Sequence, residues 1–136
     1  MFGDTMIKGI DHVAIVVSDM DRSIKFYGEV LGLKIHHDGR KDGGQKKSFL
    51  GTKSATLVAL TEDENRGKSR GLIESVAHVA FKVDDADKAC KVLREKGVEF
   101  IEEKVDKDGK GKAYHFLDPD GLELEIYSRV GEIPPY

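Results

Sequence analysis

A chain of 136 residues with 39% hydrophobic and 35% charged side chains is long enough to bury a real core and has the balance of a soluble protein. The net charge of −3, with lysines interleaved among acids and no basic stripe, makes nucleic acid a poor choice of partner. No apolar run is long enough to span a membrane, and Met1 to Thr5 lacks the charged-then-apolar order of a secretory leader. The single cysteine, Cys90, leaves no internal disulfide, so the expectation is a cytoplasmic protein with Cys90 as a small buried apolar residue.

The first predicted element is a strand over Ile10 to Val17. Val13, Ile15 and Val17 fall on one face, and Ile10, His12, Ala14 and Val16 on the other. A helix follows, capped by Ser18 or Asp19, with Ile24, Tyr27 and Leu31 on one face and Gly32 where it stops. Three shorter strands are expected over Leu33 to His37, Lys46 to Leu50 and Ala55 to Leu60, with turns in the Asp38 to Gly44 cluster. The polar, glycine-bearing stretch Glu62 to Gly71 reads as a linker and a mobile flap.

The same order then repeats. His12-Val13-Ala14-Ile15-Val16-Val17-Ser18-Asp19-Met20-Asp21 and His78-Val79-Ala80-Phe81-Lys82-Val83-Asp84-Asp85-Ala86-Asp87 share six of ten residues at one register, which marks a duplicated unit. Val79, Phe81 and Val83 alternate with His78, Ala80 and Lys82 in a second opening strand. Asp84 or Asp85 caps a second helix with Ala86, Ala89, Cys90 and Leu93 on one face, ended by Gly97. Strands near Val98 to Glu103, Lys112 to Leu117 and Leu122 to Tyr127 complete the half. The fold class is therefore α+β, two tandem βαβββ modules over about 7–61 and 73–129 within one domain of 6–136, joined by a linker of about 62–72.

Polar residues stand on the faces turned away from the helices. In the last strand Leu122, Leu124 and Ile126 point one way, and Glu123, Glu125 and Tyr127 the other. Each opening strand offers a histidine, His12 or His78, on its non-helix face. Taken singly, such residues are more often solvated or structural. Their matched placement in two halves points to ligands converging if the halves curl into one cup. Two imidazoles and a carboxylate suit one divalent ion, Fe, Mn, Ni or Zn, and leave coordination positions open for a small-molecule substrate.

The chain resembles the vicinal oxygen chelate superfamily, the glyoxalase/bleomycin resistance protein/dioxygenase family, from Ile7 to about Arg129. The resemblance rests on Asp11-His12-Val13-Ala14, on Ser23 to Tyr27 ahead of Leu31-Gly32-Leu33, on Ala77 to Phe81, and on Phe116-Leu117-Asp118-Pro119-Asp120-Gly121-Leu122-Glu123-Leu124-Glu125. It implies a metal-lined cup with His12, His78 and Glu125 as ligands, the Asp-Pro-Asp-Gly turn selecting Glu125 over Glu123. It implies a metal-dependent enzyme, a glyoxalase-like lyase or isomerase or an extradiol-type dioxygenase, whose substrate binds the metal through vicinal oxygens. In many relatives the cup is shared in a homodimer.

The departures from the family narrow the choice. Glyoxalase I relatives take a fourth ligand from the first half, where the repeat offset puts Ala59. Epimerase relatives use a Gln near the place of Gln45, which stands here as a weak extra candidate. Fosfomycin-type thiol transferases carry Ser and Tyr where this chain has Ala113 and His115, which makes that activity a lesser alternative. His115 points into the expected cup and is a candidate general acid or base. Tyr127 shares a face with Glu125 and is a candidate to orient it, whereas His36 and His37 read as surface residues. A metal-free drug- or metabolite-binding protein, of the bleomycin-resistance kind, is the alternative from another class.

Overall fold

The alternation at His12 to Val17 and its copy at His78 to Val83 does build two matching strand–helix units. The structure, a computed structural model, describes residues 5–65 and 76–131. Most of the proposed flap and linker therefore lies outside the described residues. The chain divides into two units, Met1–Gly71 and Leu72–Tyr136. Each holds one four-stranded mixed sheet, in the α+β arrangement expected from the repeat.

In the first unit β1 (Val13–Val17) leads into α1 (Met20–Ile24), followed by β2 (Lys34–His37), β3 (Lys47–Gly51) and β4 (Thr56–Glu62). The sheet order is β1-β4-β3-β2, with β1 parallel to β4. Asp19 caps α1 by accepting from Arg22 N. The single long helix expected after β1 is not what forms. After Ile24 the chain continues as a π-helix over Lys25–Val30, with Leu31 N donating to Phe26 O at 2.9 Å. Ile24 and Tyr27 are still buried as the periodicity requires, whereas Leu31, the third residue of the expected face, is only half-buried. Val17, Met20, Leu50, Val58 and Leu60 of the same unit are likewise all but inaccessible to solvent.

The second unit repeats the plan with β5 (Val79–Lys82), α2 (Ala86–Glu95), β6 (Phe100–Val105), β7 (Gly111–Leu117) and β8 (Glu123–Arg129), in the order β5-β8-β7-β6. Asp85 caps α2 with the same backbone angles as Asp19, accepting from Lys88 N. The closing strand of each unit also reaches the start of its helix. Glu62 accepts from Met20 N at 2.8 Å, and Ser128 accepts from Ala86 N at 2.9 Å. These contacts occupy amide donors that a helix start leaves unpaired. The core of this unit is Ala86, Cys90 and Leu93 of α2 against Tyr114, Phe116, Leu124 and Ile126, with Phe100 edge-on to Phe116 at 5.4 Å. Both opening strands begin at the residue after the histidine, so His12 and His78 stand at strand entrances rather than within strands. Among the described residues no helix is long and apolar enough to cross a membrane.

Candidate metal centre

Two features of the second unit bring its polar residues together. The first is the turn ahead of β8. Asp118 is buried, and its Oδ1 accepts from Asp120 N at 2.9 Å and Leu122 N at 2.8 Å. Gly121 N donates to Asp118 O with Gly121 at φ +88°, a backbone setting that favours glycine. This closed turn sets the phase in which β8 starts. Leu124 and Ile126 then face α2, and Glu123, Glu125 and Tyr127 face away.

The second feature is register. Ala80 of β5, Glu125 of β8, His115 of β7 and Glu102 of β6 form one row across the sheet. Leu117 pairs with Glu123 two rows along, on the side from which His78 enters β5. Residues of alternate rows share a face, so His115, Glu123 and Glu125 all stand opposite α2. His78 Nε2 and His115 Nε2 each lie 3.1 Å from the same Glu125 Oε2. The other edges of the two rings meet Glu123, whose Oε2 is 3.2 Å from His115 Nδ1 and 3.6 Å from His78 Nδ1. The rings stand edge to face, centroids 5.4 Å apart. His115 and Glu125 are buried, whereas His78 and Glu123 are partly open.

The donor set fits a divalent ion on two counts. One ligand atom each of His78, His115 and Glu123 lies within 4.8 Å of the other two. His115 Nε2 is also buried and, although 3.1 Å from Glu125 Oε2, makes no hydrogen bond, so a bound ion would satisfy it.

The other expected residues are placed as follows. His12 belongs to the first unit, exposed at the entrance to β1, its Nδ1 2.7 Å from Asp11 Oδ1. Gln45 is exposed just ahead of β3. Ala59 pairs with Ala14 as Glu125 pairs with Ala80, so the first sheet carries a methyl group where the second carries a carboxylate. Phe49 likewise pairs with Ala59 where His115 pairs with Glu125. Tyr127 shares the Glu125 face, but its hydroxyl donates to Asp106 at 2.5 Å rather than to Glu125. That bond is the main cause pushing the phenol's pKa up. His37 meets Asp42 at 2.9 Å, and His36 meets Thr56 and Thr52; both are exposed. The residue that sequence reasoning set aside is Glu123. Alternation already gave it the right face, but only the paired strands show that it reaches both imidazoles.

Comparison with known proteins agrees with this architecture. The chain is 31% identical to lactoylglutathione lyase of Schizosaccharomyces pombe over 146 residues, covering 88% of this chain and 47% of that protein, so it spans about half of that relative. It is 31% identical to glutathione transferase FosA of Serratia marcescens over 124 residues, covering 90% of this chain and 82% of the relative. The crystal structure of a glyoxalase family protein from Enterococcus faecalis superposes with a TM-score of 0.73 at 31% identity, over 90% of this chain and 99% of that one. Residues 9–126 match the Glyoxalase/Bleomycin resistance protein/Dioxygenase superfamily, and the chain belongs to that family.

Proposed function

We propose that this protein is a divalent-metal-dependent enzyme acting on a small substrate that chelates the ion through two neighbouring oxygens. The observation that carries this reading is the approach of two imidazole nitrogens, from His78 and His115, to one oxygen of Glu125, each at 3.1 Å. His78 and Glu125 would hold Fe, Mn, Ni or Zn, with His12 as a further ligand from this chain or a partner. A bound ion would supply Lewis-acid stabilisation where negative charge develops on the substrate, or a place for dioxygen.

The chain's own residues do the rest. Glu123 braces His115, and Asp11 stands against Nδ1 of His12, the pattern that directs the opposite ring nitrogen toward a metal. The burial of Glu125 and His115 keeps water from competing with them. The reaction class within the family is read from departures. Ala59 offers no fourth donor, which weighs against glyoxalase I itself, and Ala113 and His115 replace the Ser and Tyr of fosfomycin-type enzymes. A glyoxalase-like lyase or isomerase, or an extradiol-type dioxygenase, remains the proposal. A cytoplasmic homodimer belongs to the same reading. The role of His115 in proton transfer competes with a role as ligand.

The test is elemental analysis of protein purified without chelators or an affinity tag, repeated on Glu125→Ala. The expected result is about one divalent ion per chain, lost in the variant. No metal in the wild type, even after reloading with excess iron, manganese, nickel or zinc, would reassign the protein as a drug- or metabolite-binding member of its family.

A further inference from the structure

We propose that the outer edge of β6 is an interface between two copies of this chain, joined as antiparallel strands about a two-fold axis at Glu103. Such pairing is independent of the metal centre and of any sharing of the cup between subunits.

The first sheet ends on β1 and β2, and the second on β5 and β6. Among the described residues β6 is the longest of these four edge strands, six residues against four or five. An edge strand presents a row of N–H and C=O groups that no neighbour within its sheet takes up. β6 also exposes two apolar side chains, Ile101 at 55% and Val105 at 58%. Its register irregularity against β7 falls between Phe100 and Glu102, so Glu102 to Val105 run regularly.

The direction of the backbone groups follows from the hairpin. Asp106 N donates to Gly111 O at 2.8 Å, in the register that pairs Val105 with Lys112. Hydrogen-bonding groups alternate in direction along an antiparallel strand. Glu102, Lys104 and Asp106 therefore turn theirs to β7, and Glu103 and Val105 turn theirs outward. A second copy can pair only where its own outward residues meet these. Three registers that overlap most of the strand satisfy this condition, centred on Glu102, Glu103 or Lys104. The first sets Glu102 against Glu102 and Ile101 against Glu103. The last sets Lys104 against Lys104 and Glu102 against Asp106. Like charges directly opposite destabilise a strand pair. The register centred on Glu103 instead sets Glu102 of each copy against Lys104 of the other, and Ile101 against Val105, twice each. Its one like pair is Glu103 with itself, and Lys112 stands 3.1 Å from that carboxylate in each copy. Charges that would repel most other strands thus complement their own copies, which makes a second copy of this chain the occupant.

The test is sedimentation velocity of the full chain over a range of concentrations, in wild type, Glu102→Lys, Lys104→Glu and the double variant. Both positions are exposed, so the core is untouched. A five-residue edge contact is small, so association is expected at concentrations on the order of 100 µM, where the mass of the species seen at low concentration should at least double. Each single charge reversal should weaken that association about 10-fold or more, and the double variant should recover it to within about 3-fold of wild type. Register is read by cross-linking under mild oxidation, with Cys90 buried and out of reach. Glu103→Cys should link to its own copy, because hydrogen-bonded strand partners have Cα atoms about 5.5 Å apart, within disulfide reach. Lys104→Cys lies two residues along from its own copy and should not link. Absence of association in the wild type up to about 1 mM would overturn the proposal. So would association that the single reversals leave unchanged, a double variant as weak as the singles, or a cross-link through Lys104→Cys in place of Glu103→Cys.

Discussion

Replacing Asp118 with alanine removes a side chain that closes the turn ahead of β8. Two backbone amides, Asp120 N and Leu122 N, lose their acceptor. Hydrogen bonds to a charged group contribute about 1.5–3 kcal/mol each. The turn is only part-buried, so the lower end applies, and the pair should contribute about 3 kcal/mol. With an unfolding entropy of about 2.1 cal/mol/K per residue over the 136-residue chain, that loss lowers the thermal midpoint by about 10 °C. Asp118→Asn keeps an oxygen acceptor without the charge and should lose roughly half as much. The effect should also reach the ligands, because Glu123 and Glu125 take their phase from this turn. Thermal and urea unfolding followed by circular dichroism measure the first effect, and Co(II) affinity the second. A midpoint within about 3 °C of wild type for Asp118→Ala, under about 1 kcal/mol, would refute the reasoning.

Three further outcomes are expected. His78→Ala should abolish tight metal binding while shifting stability by no more than about 0.5 kcal/mol, since the side chain is partly exposed at a strand entrance; unchanged metal content would remove His78 from the site. Cys90 is buried, and that burial pushes its thiol pKa up. Native protein should therefore react with a thiol reagent more than about 100-fold slower than unfolded protein, because labelling waits on opening of the core, and rapid stoichiometric labelling would contradict the packing. The Lys112 ammonium, and secondarily the Tyr114 hydroxyl, hold Asp87 below the usual carboxylate range. A depressed folded pKa stabilises the protein above the unfolded value of about 3.9, and that contribution is lost as pH falls through the folded value. The stability gap between wild type and Asp87→Asn should thus be constant above about pH 5 and narrow below about pH 4, whereas a gap independent of pH would exclude the ion pair as its source.

Local sequence determined much of this protein, because local rules govern those parts. The repeated His-Val-Ala segments specify two strands, Asp19 and Asp85 cap the helices after them, and Asp118 to Gly121 sets the phase of β8. Alternation alone puts His115, Glu123 and Glu125 on the face opposite α2. Other features depend on which strands become neighbours. Parallel pairing of β5 with β8 brings His78 to Glu125, and antiparallel pairing of β7 with β8 adds His115 on the other side. No spacing in the chain encodes those long-range contacts, so His115 reads as an acid–base candidate in the sequence and as a neighbour of both carboxylates in the structure. The hydroxyl of Tyr127 turns to Asp106 because the β6–β7 turn folds back over the end of β8, a contact invisible in either segment alone. The π-helical stretch over Lys25–Val30 is also a tertiary outcome. The spacing of Ile24 and Tyr27 predicts an α-helix, and the i→i+5 bond from Leu31 N to Phe26 O is seen only in the folded chain, where both residues are buried.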